Sequence, residues 1–338
     1  MAFGSTVRRV MLVLRSSFLI HQPEGGFASP SRFSIADLSE DGSVLMVCGS
    51  IRPTTCWLVD GGKRVAMAPD YFELPEHWKL DERGLLASVD GNVDNGDQKR
   101  RWFYSTDRMS QAPGIRELNR QGILRVPSDV DEYAAGGTEW LARWNEERDL
   151  LEVRARAHGE WQTIGECSGG LAELRLSYSG RFVFAGFNET WQPGSHLSCA
   201  FDALHSEYLS EERLFGSPCL AAPWSSFPPM VFAKDDLLVF VNWRGSIAWH
   251  SLPLISEVGG IDPQHLSIHR LLLSPDDQII FASGNGGIRV FEKSTGSCID
   301  SALEGQQVDA IAVTETHLAA LVHGAQLHTC TAYVYRYR

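Results

Sequence analysis

The chain has 338 residues, 43% of them hydrophobic, and a formal net charge of -12. Such a chain buries a large core, and its acidic balance argues against a phosphate-binding surface, because affinity for nucleic acid comes largely from Lys and Arg neutralising phosphates. No segment approaches the roughly 20 apolar residues that span a bilayer, so a soluble protein without a membrane or nucleic-acid partner is expected.

The first apolar segment, Val7 to Leu14, has no hairpin partner of its own. Arg8 and Arg9 imitate the start of a secretion signal, but Arg15 interrupts the apolar run and no small-residue cleavage site follows cleanly, which favours a strand. Polar turns then recur, each before an apolar strand: Glu40-Asp41-Gly42, Asp81-Glu82-Arg83-Gly84, Ser179-Gly180, Lys234-Asp235-Asp236, Pro275-Asp276-Asp277 and Thr314-Glu315-Thr316. From Asp41 to Glu82 is 41 residues, and Asp236, Asp276 and Thr316 follow one another at 40. The 98 residues from Glu82 to Gly180 suit two units, the second carried by Trp140 to Trp144, Leu150 to Ala155 and Trp161 to Glu166. Seven units of about 40 to 55 residues result, and that regular spacing predicts one ring of small sheets rather than two domains.

Between these markers lie the candidate sites. Asp90, Asn92, Asp94 and Asp97 place side-chain oxygens along a loop in the manner a calcium ion requires. The glycine of that loop falls one place late, however, and Arg101 stands where a bidentate glutamate belongs, so a polar hairpin tip accounts for it better. The basic run Lys99-Arg100-Arg101 sits beside Asp94 and Asp97, which partly cancel its field. Helix-period patterns are nearly absent; Ala203 to Phe215 is a short helical candidate, Glu139 to Glu147 reads better as a strand, and the prolines around Cys219 to Met230 indicate a rigid loop. His265 with His269, and His323 with His328, are pairs four apart, which strand geometry separates by about 13 Å; neither makes a zinc site alone. Seven scattered cysteines (Cys48, Cys56, Cys167, Cys199, Cys219, Cys298, Cys330) form no CxxC pair, which suggests reduced thiols and the cytosol. The sequence holds no Gly-x-Ser-x-Gly elbow and no phosphate-cradling glycine loop, so catalysis is not expected and no cofactor is implied.

The most informative stretch is Ser267 to Glu304. Ile268 to Leu273 and Gln278 to Ser283 flank the turn Pro275-Asp276-Asp277, Gly284-Asn285-Gly286-Gly287 closes a second hairpin onto Ile288 to Phe291, and Ser294-Thr295-Gly296 leads to a fourth strand, Ser297 to Leu303. This four-stranded unit resembles a WD40 repeat, with Phe291-Glu292 in place of the tryptophan-aspartate pair and Gly305-Gln306 in place of the glycine-histidine pair. Of the family's buried Asp-His-Ser-Trp hydrogen-bond network only Ser283 remains, so apolar packing must carry more of the stability. One unit cannot bury its own faces; several must pack around an axis. After the last turn only three strands are available, Val308 to Val313, Leu318 to Val322 and Thr331 to Tyr337, and Val7 to Leu14 is expected to complete them and close the ring.

The resemblance implies an all-β, seven-bladed β-propeller, residues 1–338 forming one domain that acts as a non-catalytic protein-interaction scaffold within a multi-protein assembly. In WD40 proteins the links between second and third strands gather on one face. Here they are expected to supply the partner-binding residues Arg52, Trp191, Asn242, Trp243, Arg244 and Asn285, since exposed Trp beside Arg is the composition of interface hot spots. The alternative is a propeller lyase or hydrolase with a metal-assisted site at the channel mouth, which would bring carboxylates or histidines together within a few ångströms.

Overall fold

The computed structural model describes residues 11–21, 33–39, 41–49, 52–67, 78–81, 84–89, 100–104, 135–136, 140–145, 150–155, 160–166, 170–177, 181–188, 196–202, 207–210, 229–242, 244–252, 256–263, 266–324 and 329–337. Among these the regular structure is entirely strand. The N-terminal strand β1 (Val13–His21) is followed by β2 (Phe33–Leu38), β3 (Val44–Gly49), β4 (Arg52–Leu58) and β5 (Lys63–Met67), the last four forming one sheet. Then come β6 (Trp78–Asp81), β7 (Gly84–Val89) and β8 (Arg100–Tyr104), and a sheet of β9 (Ala135–Gly136), β10 (Trp140–Asn145), β11 (Leu150–Ala155) and β12 (Gln162–Glu166). The next comprises β13 (Gly170–Leu176), β14 (Phe182–Asn188), β15 (His196–Asp202) and β16 (Glu207–Ser210), and after it β17 (Met230–Phe232), β18 (Leu238–Val241), β19 (Ile247–Ser251) and β20 (Ser256–Ile261). The sixth is β21 (Ser267–Leu273), β22 (Ile279–Asn285), β23 (Gly287–Glu292) and β24 (Cys298–Ala302). In the last sheet β25 (Val308–Val313), β26 (His317–His323) and β27 (Thr329–Arg336) are joined by the chain's first strand, in the order β1-β27-β26-β25. Among the described residues there are thus seven antiparallel sheets, and in all but the last the order in space follows the order in sequence. No helix among them is long and apolar enough to cross a membrane.

Two compact units arise from this arrangement, Met1–Ser128 with Ser274–Arg338, and Asp129–Leu273. In the first, β2 packs against β25, β26 and β6, and β22 against β25. In the second, β13 packs against β9, β10 and β17, and β17 against β21. Within each unit, therefore, the first strand of one sheet lies against the first strand of the next. Second-strand residues Val44 to Val47, Leu238 to Val241 and Leu318 to Val322 are apolar and buried on both faces. Such continuous apolar runs are what a strand needs when both faces of its sheet are covered.

Two local devices repeat. In four sheets the turn from first to second strand is held by a hydroxyl: Ser39 Oγ accepts the Val44 N–H at 2.8 Å, Ser177 Oγ the Phe182 N–H at 3.1 Å, Ser274 Oγ the Ile279 N–H at 2.9 Å, and Thr314 Oγ1 the His317 N–H at 3.1 Å. The same Ser39 and Ser274 hydroxyls donate to Asp41 and Asp276 at 2.7 and 2.6 Å, so each turn carries an internally satisfied Ser-x-Asp bridge. The residue after the aspartate takes the left-handed conformation, with φ of 66° at Gly42 and 65° at Asp277.

The second device is an aromatic at one register position. Opposite the second residue of the second strand stand Trp57 (facing Leu45), Tyr104 (Leu85), Phe201 (Val183), Trp249 (Val239), Phe291 (Ile280) and Tyr335 (Leu318). Trp57, Trp249, Phe291 and Tyr335 are buried. The position recurs every 42 to 48 residues, with one double step across the sheet β9 to β12, where Arg154 occupies it.

The first strand differs from expectation. It runs Val13–His21, not Val7 to Leu14; Met11 and Leu12 are outside the strand, and residues 7–10 lie outside the described residues. Register decides the matter. Ser16, Phe18 and Ile20 face Val334, Ala332 and Cys330, and Phe18 and Ile20 enter a core cluster with Leu38, Leu45, Val47 and Trp57, whereas Val13 and Leu14 from the continuous apolar run are 53% and 51% exposed. Alternation, not the longest apolar run, therefore selects the strand. The helical candidate Ala203 to Phe215 is corrected as well: Glu207–Ser210 is the edge strand β16, pairing with Cys199 to Asp202. Ser283 is fully buried and has no hydrogen-bond partner among the described residues; its neighbours Ile280, Phe281 and Ala282 are buried with it.

Candidate functional site

The tips singled out in the sequence stand on links between second and third strands. Arg52 opens β4 and pairs with Gly49 across the β3–β4 link; its side chain lies outside the described residues. Trp191 belongs to the link between β14 and β15 and, like Trp243, Asp90, Asn92, Asp94 and Asp97, falls outside the described residues. Asn242 begins the β18–β19 turn, and its carboxamide oxygen accepts the N–H groups of Arg244 and Ser246 at 2.9 and 3.1 Å. That side chain shapes the tip, on which Arg244 is exposed.

Asn285, exposed at the end of β22, belongs to a larger polar arrangement within its unit. It forms an antiparallel bridge with Gln307, and the Gly286 N–H donates to the Gln306 carbonyl at 3.1 Å. From Gln307 the chain of polar contacts continues: its side-chain amide donates to Asp309 Oδ1 at 3.0 Å, and its carbonyl accepts the His323 N–H at 3.3 Å. Asp309 Oδ2 lies 3.3 Å from His323 Nδ1. Asp309 is the residue skipped where the β25–β26 register shifts between Val308 and Ala310, and a bulge re-aims a side chain in this way. Ala172 is skipped at the corresponding shift in β13, so the same position carries an acid in one sheet and an alanine in the other.

The Asp309 side chain is 6% exposed and that of His323 40%, so a buried carboxylate holds a partly exposed imidazole. A carboxylate accepts, so the Nδ1 position carries the proton in that contact. Cys330 pairs across the strand with His323, yet burial, with Asp309's charge adding to it, pushes its thiol up to about 12. It is therefore a protonated, enclosed thiol and not a nucleophile for this histidine. Among the described residues no group of three or more His, Cys, Asp or Glu is placed to hold a metal ion. Sequence reading identified Asn285 and missed Gln307 and Asp309, which strand register and not any local motif brings beside it.

No protein-family model matches this chain. No curated protein matches it either.

Proposed function

We propose that the chain is a single seven-bladed, WD40-like β-propeller that serves as a non-catalytic, cytosolic protein-interaction platform in a multi-protein assembly. The observation that carries the reading is repetition in register. Among the described residues six sheets keep sequential strand order, four share the hydroxyl-held first turn, and six carry an aromatic opposite the second residue of the second strand. A repeated unit whose second strand is apolar on both faces needs a neighbour on each side, and a ring supplies one to every unit without leaving a terminal sheet uncovered. Recruitment of β1 into the last sheet is the matching closure.

Links between second and third strands then form the docking face, with Arg52, Trp191, Asn242, Trp243, Arg244 and Asn285 on it, and with Gln307, Asp309 and His323 extending the patch around Asn285. The test is affinity purification with mass spectrometry, comparing wild type with the Trp243→Ala, Arg244→Ala double variant. Loss of specific co-purifying proteins, with thermal stability retained, supports the platform; an unchanged set of partners contradicts the role given to that tip. The Asp309–His323 pair favours the enzymatic alternative, in which Nε2 acts as a general base. Hydrolysis or elimination that is detected across an ester and glycoside panel and abolished by His323→Ala would replace the platform reading.

A further inference from the structure

β1 is the terminal strand of its sheet, so one edge of it presents main-chain groups that no described strand pairs. Val13, Leu14 and Leu19 on it are 53%, 51% and 60% exposed. Its N-terminal end borders an open groove of about 470 Å3 lined by Val13, Leu14, Arg15, Asp41, His317 and Arg336. All of these residues belong to one compact unit.

The groove has a fixed floor. Arg15 is skipped by the register shift between Leu14 and Ser16, which turns it out of the strand pair. Its Nε and Nη2 donate to the Asp60 carboxylate at 3.2 and 2.9 Å, and its Nη1 to the Asp41 carbonyl at 2.9 Å. Nη1 also lies 3.2 Å from His317 Nε2. A guanidinium only donates, so Nε2 accepts, and the ring proton sits on Nδ1, 2.8 Å from Thr316 Oγ1. Gly42 permits this closeness, because a Cβ there would lie 2.5 Å from the His317 ring.

The acid of the groove is committed. Asp41 Oδ1 accepts from the Ser39 hydroxyl at 2.7 Å, the Ser43 hydroxyl at 2.7 Å and the Ser43 N–H at 2.9 Å. Arg336 is different. It stands opposite Val13, is exposed, and has no hydrogen bond or ion pair among the described residues. Cross-strand partners share a face, so Val13 and Arg336 lie on one side of the sheet, and Leu14 and Leu19, opposite Tyr335 and Thr331, on the other.

We propose that the free edge of β1 and this groove bind an extended acidic peptide segment of a partner protein, added as a further strand. Its residues alternate: a carboxylate meets Arg336 on one face, and apolar side chains cover Leu14 and Leu19 on the other. A second copy of β1 is a poor occupant, because Val13–His21 contains no acid and would bring Arg15 against Arg336. The net charge of -12 does not forbid an acidic partner, since at physiological salt repulsion beyond about 8 Å is screened. The proposal concerns one compact unit and does not depend on ring closure.

Phage-displayed random linear peptides selected on the full chain, followed by fluorescence anisotropy with the best binder, test it. Enriched peptides are expected to alternate apolar residues with Asp or Glu. Arg336→Gln should weaken binding about tenfold by removing one charge-assisted hydrogen bond, Leu14→Lys should also weaken it, and the Trp243→Ala, Arg244→Ala pair should leave it unchanged. Arg336 and Leu14 are exposed, so circular dichroism should find both variants folded. No enrichment, enriched peptides without acids, or binding unaffected by Arg336→Gln would each overturn the proposal.

Discussion

Neighbouring residues of β1 should respond to truncation in opposite ways. Ile20 is fully buried, pairs with Cys330, and sits in the cluster containing Leu45, Val47, Trp57, Ala319 and Leu321; Leu19, beside it in sequence, is 60% exposed. Ile20→Ala removes buried methylenes and leaves a cavity that two packed sheets cannot collapse around, at a cost of about 3 kcal/mol. Leu19→Ala removes atoms that water already reaches and should cost no more than about 0.5 kcal/mol. With an unfolding entropy of about 2.1 cal/mol/K per residue, a cooperative 338-residue chain changes its Tm by roughly 4 °C for the first substitution and by less than about 1 °C for the second. Urea unfolding followed by circular dichroism at 25 °C gives the free energies directly, and a thermal scan gives the Tm shifts. Equal losses, or a larger loss at Leu19, would refute the reasoning, because a slip of one residue in register exchanges every side chain between core and solvent.

Ser274→Ala should cost about 1–3 kcal/mol in the same assay, since the buried Ile279 N–H loses the hydroxyl that accepts it at 2.9 Å and Asp276 loses its donor; a change within error would mean that the turn is held by its main chain alone. Burial works against ionised Asp41, yet the Ser43 hydroxyl and amide, the Ser39 hydroxyl and the charge of Arg15 together hold its pKa below the usual 3.8. A depressed pKa stabilises the fold above the unfolded value and loses that contribution as pH falls through the folded value. Asp41→Asn should therefore be less stable than wild type at pH 7, with the gap narrowing below pH ~4; a gap independent of pH would contradict this. Burial pushes the Cys56 and Cys330 thiols up to about 12, while Cys298 is exposed. Iodoacetamide at pH ~8 followed by mass spectrometry should label Cys298 and spare the other two until the protein is unfolded.

Much of the strand pattern is legible in the sequence because short apolar runs end at turns. Leu150 to Ala155 and Val308 to Val313 are strands at those same limits, and Trp140 to Trp144 extends only to Asn145. The two-unit reading of Glu82 to Gly180 matches the two sheets found there, β6 to β8 and β9 to β12. The sequence misplaces the first strand because Val10 to Leu14 is the longer apolar run, whereas Phe18 and Ile20 alternate with Ser17 and Leu19 and only their partners reveal which face is buried. Of the aromatic column the sequence marks Phe291 alone, since Trp57, Tyr104, Phe201 and Trp249 lie in strands with no common local motif and become equivalent through register. The groove could not be read at all: Arg15 meets Asp41 across 26 residues and His317 across 302. No spacing rule links residues that a chain's two ends bring together.

The central claim is that the sheets form one ring sealed by β1. A crystal structure of the full chain tests it most directly. The account predicts seven sheets around a common axis, with Val13–His21 as the outer strand of the last one beside Thr329–Arg336. Density showing β1 detached from that strand, a different number of sheets, or two separate bodies would contradict it.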